Sequence, residues 1–234
     1  MINSRKKEIS SLEIEKIFKK LNFDSNKDLD NEIIYFLIAV FFKKTKNKNN
    51  YLKEKLSFHL SKNLLLKLKD EKILNIFDIG SLGYIIDYLF QKQLSLAKIA
   101  DINQRKISGS YYTPFFIAHN IVKKTLVVKK NIKILDPCCG TGTFLSASCK
   151  LLKDKNFSNE DIINSLYAFD INKDALTFAK LIISAELKLN EKLTKNFIEN
   201  KNFQNIDSLL IDYPDQNLFS NENFDTKFDY IVTN

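Results

Sequence analysis

The sequence predicts an α/β chain, with an N-terminal helical region (1–107) followed by part of a parallel sheet flanked by helices (108–234). Three observations predict it. Up to about residue 107 the chain holds no proline and only Gly80 and Gly83, and its apolar residues recur at helical spacing. From residue 131 the pattern changes to apolar runs alternating with helical stretches, as repeated βα units produce. Where the first of these runs ends stands DPCCGTGTFL (136–145), a glycine turn leading from a strand into a helix.

In the first region Ile14, Ile17, Phe18 and Leu21 share one helical face, and Leu82, Ile85, Ile86 and Leu89 share another. The apolar run 33–42 is ten residues long, too short to span a bilayer, and predicts a buried helix. The basic, asparagine-rich run 43–50 predicts an exposed connector. With the leucine-rich stretch 52–74, this region reads as a bundle of four or five helices. Asp24, Asn26 and Asp28 have the spacing of a calcium loop, but Leu29 stands where that loop needs glycine, so no calcium site is expected.

In the second region the predicted strands are 132–135, 165–171, a weak one at 203–206, and 228–233. Predicted helices cover 115–124, 143–152 and 174–189, the last with Leu176, Ala179, Ile183 and Leu187 on its inner face. Right-handed crossovers would set these helices on both faces of the sheet.

Composition narrows the function classes. Residues 1–108 hold 21 Lys and Arg against 13 Asp and Glu, whereas 109–234 hold 15 of each, so the whole net charge of +8 lies in the first part. Such an excess suits contact with a polyanion, although abundant Lys, Asn and Ile throughout give the same excess without one. No leader pattern or membrane span is present, and reduced thiols in the cytoplasm are expected. Three cysteines, two of them adjacent, and two histidines give no metal-ligand spacing, so no metal is expected. Cys138 and Cys139 read as small packing residues of the turn, and His59 and His119 as structural.

Four pieces fall in order at the carboxyl ends of the four strands: Asp136 to Gly142, then Asp170, then Asp207, then Asn234. Gly140 and Gly142 remove side chains where backbone must approach a ligand. Asp136 suits a cationic ligand better than a pyrophosphate, and Leu145 replaces the third glycine of a dinucleotide fingerprint. An acid ending the second strand is placed for ribose hydroxyls. Asp170 lies 28 residues past Gly142, further than the roughly 20 usual in dinucleotide folds. Asp207 could accept from an exocyclic amine; Asp212 competes for that role but follows the strand less directly.

Together these residues resemble the amino-group DNA methyltransferases that modify adenine N6, in the branch of type I modification subunits and fused type IIG restriction–modification enzymes. GSYYTP (109–114) matches the GxYYTP element of that family, and 136–145 its DPxCGTGxFL element. SLGYIIDYL (81–89) is similar to its LGxxYExL stretch, with Ile86 and Asp87 where Tyr-Glu is usual. The likeness is tight over about 76–150 and looser to 234.

The resemblance implies a Rossmann-like sheet that binds S-adenosyl-L-methionine. Tyr112, Thr113 and Pro114 would hold the methionine end, and Asp136 would face its ammonium and sulfonium. Gly140 and Gly142 would admit the cofactor, Asp170 take the ribose hydroxyls, and Asp207 the adenine amine. Cys138, Ile171 and Ser208 join the cofactor-binding positions. Asn234 would be the catalytic amide, the first residue of an Asn-Pro-Pro-aromatic motif that fixes a flipped adenine of double-stranded DNA for in-line attack.

The sequence ends on that residue, so the reading is of an N-terminal portion, inactive alone, with an unpaired apolar edge at 230–232. A specificity subunit or a C-terminal target-recognition domain would read the DNA site. Alternatives are a methyltransferase for protein glutamine or RNA, or a non-catalytic DNA-binding or assembly fragment. A dinucleotide-dependent dehydrogenase is disfavoured by Leu145 and Asp136.

Overall fold

A computed structural model of the chain describes residues 11–21, 31–77, 85, 86, 89, 113–208 and 227–233. The chain divides into two compact units, Met1–Phe116 and Ile117–Asn234. The expected boundary near 107 lies outside the described residues.

In the first unit the described helices are α1 (Ser11–Lys20), α2 (Asn31–Lys44), α3 (Asn50–Phe58), α4 (Lys62–Lys67) and α5 (Glu71–Leu74). The apolar run forms α2, and nine of its residues are buried, so this helix is enclosed on nearly all sides. The leucine-rich stretch becomes three short helices because polar side chains restart it. Asn49, Ser61 and Asp70 each accept a backbone N–H of the first turn, from Leu52, Leu64 and Lys72.

The expected connector 43–50 is shorter than its composition suggests, since α2 continues through Lys44. Its end is a Schellman turn without glycine: Lys46 has φ 53° and Asn47 N donates to Phe42 O at 3.4 Å. Three lysines here serve the fold. Lys43, Lys44 and Lys67 donate to Leu68 O, Leu74 O and Leu21 O at 2.7, 3.0 and 2.8 Å. Leu68 and Leu74 stand at the ends of α4 and α5 and Leu21 just past α1, where backbone carbonyls lack helical partners. His59 stacks flat on Tyr35, ring centroids 3.9 Å apart, which is a packing role.

The second unit holds all but the first two residues of α6 (Phe115–Thr125). It continues through β1 (Ile134–Asp136), α7 (Thr143–Asp154), α8 (Asn159–Ser165), β2 (Leu166–Asp170), α9 (Lys173–Glu186), α10 (Glu191–Glu199), β3 (Phe203–Asn205) and β4 (Tyr230–Ile231). The sheet is parallel in the order β3-β2-β1-β4, so the chain steps outward from β1 on one side and returns to its other side with β4. β1 is buried along its length, as befits a central parallel strand. Leu135 and Phe169 form an inner cluster with Tyr167, Ile206 and Phe228 against it.

α8 and α10 were not expected, because their apolar residues are sparse: only Thr194 and Phe197 of α10 are buried. The helix expected to reach 189 stops at Glu186, in another Schellman turn. Lys188 takes φ 50°, and Leu189 N donates to Ser184 O at 3.1 Å. Leu187 and Leu189 keep the apolar spacing going past the true end, and no glycine marks it. β4 forms where expected, but only Tyr230 and Ile231 pair as strand. Among the described residues it is an end strand of the sheet, and Ile231 is 63 % exposed.

Candidate functional site

The site is built from three loops that leave the carboxyl ends of β1, β2 and β3. At the first, Asp136 ends β1 and is 2 % exposed. One carboxyl oxygen, Oδ1, accepts from Cys138 N at 3.2 Å, an Asx-type turn that starts the loop. Burial raises its pKa to about 7; the Cys138 hydrogen bond opposes the rise and the nearby Asp170 adds to it. A carboxyl group so held keeps its proton up to near neutral pH, and a positive charge beside it would favour the ionised form.

The two glycines of this loop do different work. Gly140 has φ 52°, and a Cβ there would meet no atom of the described residues within 4 Å, so its side is open among them. Gly142 has φ 89° and begins α7; a Cβ there would lie 3.0 Å from Ala179 Cβ on α9. Helix packing therefore demands glycine at 142, whatever binds nearby. Cys139 is buried, and its N–H donates to Phe169 O at 3.0 Å, tying the loop to β2. Burial and the carboxyl groups of Asp136 and Asp170 push its thiol well above the usual range, which leaves it a packing group. Cys138 is exposed, with Sγ 3.4 Å from Ser208 Oγ.

At the second loop, Asp170 joins the pieces. Its Oδ2 accepts from Gly140 N and its Oδ1 from Asn172 N, each at 2.8 Å. Asn172 in turn caps α9, accepting from Asp174 N and Ala175 N. The Ile171 side chain is 72 % exposed. At the third loop, Ser208 Oγ donates to Pro137 O at 2.7 Å, and Asp207 beside it is half-buried. Asn205 Nδ2 donates to Asp170 O at 2.9 Å and to Ile171 O at 2.8 Å.

Asp136, Cys138, Gly140, Gly142, Asp170, Ile171, Asp207 and Ser208 thus lie on three hydrogen-bonded loops at one edge of the sheet. Thr113 and Pro114 are half-buried just before α6 and belong to the first unit. Tyr112 and Asn234 lie outside the described residues, as does most of 81–89. Asn205 and Asn172 were not singled out from sequence. The one available signal was an asparagine at or within two residues of each strand end, which is common in ordinary turns as well.

The chemistry of the edge is anionic and shaped for approach. One buried acid holds a single hydrogen bond among the described residues, one acid has two oxygens with spare lone pairs, and a glycine amide backbone opens toward space. Such a set favours a ligand that carries positive charge and hydroxyl groups. Among the described residues no cluster of three His, Cys, Asp or Glu could hold a metal ion, and no helix is long and apolar enough to cross a membrane.

A sequence model of the N-6 DNA methylase family matches residues 93–234 of the chain. No solved structure matches it.

Proposed function

Because the chain belongs to the N-6 DNA methylase family, we propose that the three-loop edge binds S-adenosyl-L-methionine for methylation of adenine N6 in DNA, within a restriction–modification system. The observation that carries the reading is the junction at Gly140, where the loop of β1 and the acid of β2 meet over an open side. Bound there, the cofactor would supply a methyl group made electrophilic by its sulfonium.

The residues divide the binding between them. Asp136 would balance the positive charge of the sulfonium and ammonium, which would offset the burial that raises its pKa. Asp170 would take ribose hydroxyls on lone pairs left free by Gly140 N and Asn172 N. Asp207 and Ser208 would hold the adenine end. Asn234 would offer its amide oxygen to the target amine of a flipped adenine, holding that nitrogen in line for attack. A target-recognition domain or specificity subunit would choose the DNA site.

Calorimetric titration of the chain with S-adenosyl-L-methionine tests the reading. Saturable heat is expected, weakened at least about tenfold by Asp136→Asn, the loss of one charge-assisted contact. No binding, or binding of a dinucleotide in its place, would sink it.

A further inference from the structure

Asn205, the last residue of β3, stands opposite Asp170 in the parallel ladder. Its Nδ2 donates to two successive carbonyls, Asp170 O at 2.9 Å and Ile171 O at 2.8 Å. Both amide hydrogens are spent on the backbone of a single turn. That turn carries the carboxylate whose two oxygens hold Gly140 N and Asn172 N. Packing does not fix it, because the Ile171 side chain is largely in solvent. Hydrogen bonds do.

We propose that Asn205 is a positioning residue: by holding the backbone that follows Asp170, it sets where the Asp170 carboxylate meets Gly140 and the ribose hydroxyls of the methyl donor. The ligand half of this inference rests on the donor reading above; the backbone half does not. Asn205→Asp is the telling variant, since it keeps the shape, loses both donors, and turns oxygens toward two carbonyls. Asn205→Ala serves as a second variant without the added repulsion.

Two measurements on the whole chain decide it. In residue-resolved amide hydrogen exchange, both variants should speed Gly140 and Asn172 by on the order of tenfold, while Ser146 and Ile162, bonded to Gly142 O and Ser158 O at helix starts, keep their rates. No change at Gly140 and Asn172, or a uniform rise at all four, overturns the proposal. In titrations with S-adenosyl-L-methionine, Asn205→Asp should weaken binding about tenfold in the natural background and less than about twofold beside Asp170→Asn. Equal losses in both backgrounds overturn it. A natural chain that binds no donor sinks the donor reading alone, and the exchange pattern still decides the role of Asn205.

Discussion

The ends of β1 and β2 are neighbours in the sheet and each closes on an aspartate, yet the fold treats the two acids in opposite ways. Asp136 is buried, holds one backbone N–H, and has its pKa raised to about 7. Asp170 is half-exposed and spends both oxygens on backbone donors that belong to different loops. The first is an acid whose burial opposes its charge; the second is a staple between segments. Residue type and position at a strand end are the same, so the difference lies in solvation and hydrogen-bond supply.

The largest effect should come from breaking the loop that sets Asp136. Gly142→Val puts a β-branched side chain at φ 89° with Ala179 Cβ already 3.0 Å from the added carbon. Backbone strain and overpacking together should cost roughly 3–5 kcal/mol in urea unfolding. Gly140→Ala meets no such wall and should cost only about 1–2 kcal/mol, from its positive φ. Its methyl group would instead fill the open side, so donor binding should fall more than stability does. A Gly142→Val chain with the natural urea midpoint would show that the turn does not fix α7 against α9.

Next in size is the pH response of Asp136. Its folded pKa of about 7 lies above the free value of 3.8, so between those values the folded chain holds a proton that the unfolded chain has released. Stability without ligand should therefore fall as pH rises from about 4 to about 7, by at most about 1.4 kcal/mol per pH unit. Asp136→Asn keeps an acceptor for Cys138 N and should flatten that slope. A cationic donor imposes the reverse trend. Its affinity should rise by up to about tenfold per pH unit toward pH 7 and then level, with a proton released on binding below that point. Calorimetry in buffers of different ionisation enthalpy reads this directly. Affinity independent of pH across that range would remove Asp136 from the contact.

These contrasts mark what the residues disclosed and what they could not. The strand–glycine–helix segment announced β1, the loop and α7 because apolar run, turn and helical spacing agree there. β2 was placed by its apolar run, and with it Asp170; β3 was legible only weakly, as the short run 203–206 that Asp207 follows. Helix ends were poorly legible where Lys46 and Lys188 occupy left-handed positions normally marked by glycine. The separate duties of Gly140 and Gly142 depend on what stands opposite each, Ala179 in one case and no described residue in the other. No spacing rule carries that. Asn205 was hidden for the same reason, since its partners lie 34 and 35 residues away in sequence. The basic excess of the first part was legible as a number but not as a surface. Lys43, Lys44 and Lys67 prove to be bound to backbone carbonyls within their own unit.

A smaller effect sharpens the β2 side. Asp170→Ala leaves Gly140 N and Asn172 N without their protein acceptor, which should cost roughly 1–3 kcal/mol. Asp136→Asn should remove the slope of stability between about pH 4 and 7, whereas Asp170→Ala removes only the smallest of the causes acting on Asp136 and should narrow that slope while leaving most of it. Urea midpoints at two pH values in that range separate the two variants. Equal slopes for Asp136→Asn and Asp170→Ala would erase the division between charge site and staple.

The smallest effect runs opposite in sign to that of Asp136. Asp229, just before β4, accepts from Lys133 N at 2.9 Å and pairs with Lys129 Nζ at 2.5 Å. The Lys129 hydrogen bond first, and then that of Lys133 N, hold its carboxyl below the usual range. Its stabilising contribution is therefore complete above the free carboxylate value and is lost as pH falls through the lowered one. Lys129 is mostly in water, and ion pairs of that kind are screened, so the pair should contribute no more than about 1 kcal/mol. Lys129→Ala should lower stability slightly at neutral pH, less so in high salt, and leave stability unchanged in acid strong enough to protonate Asp229 in the folded chain. A loss that persists in strong acid would mean that the lysine stem packs against the end of the sheet and that its charge is incidental there.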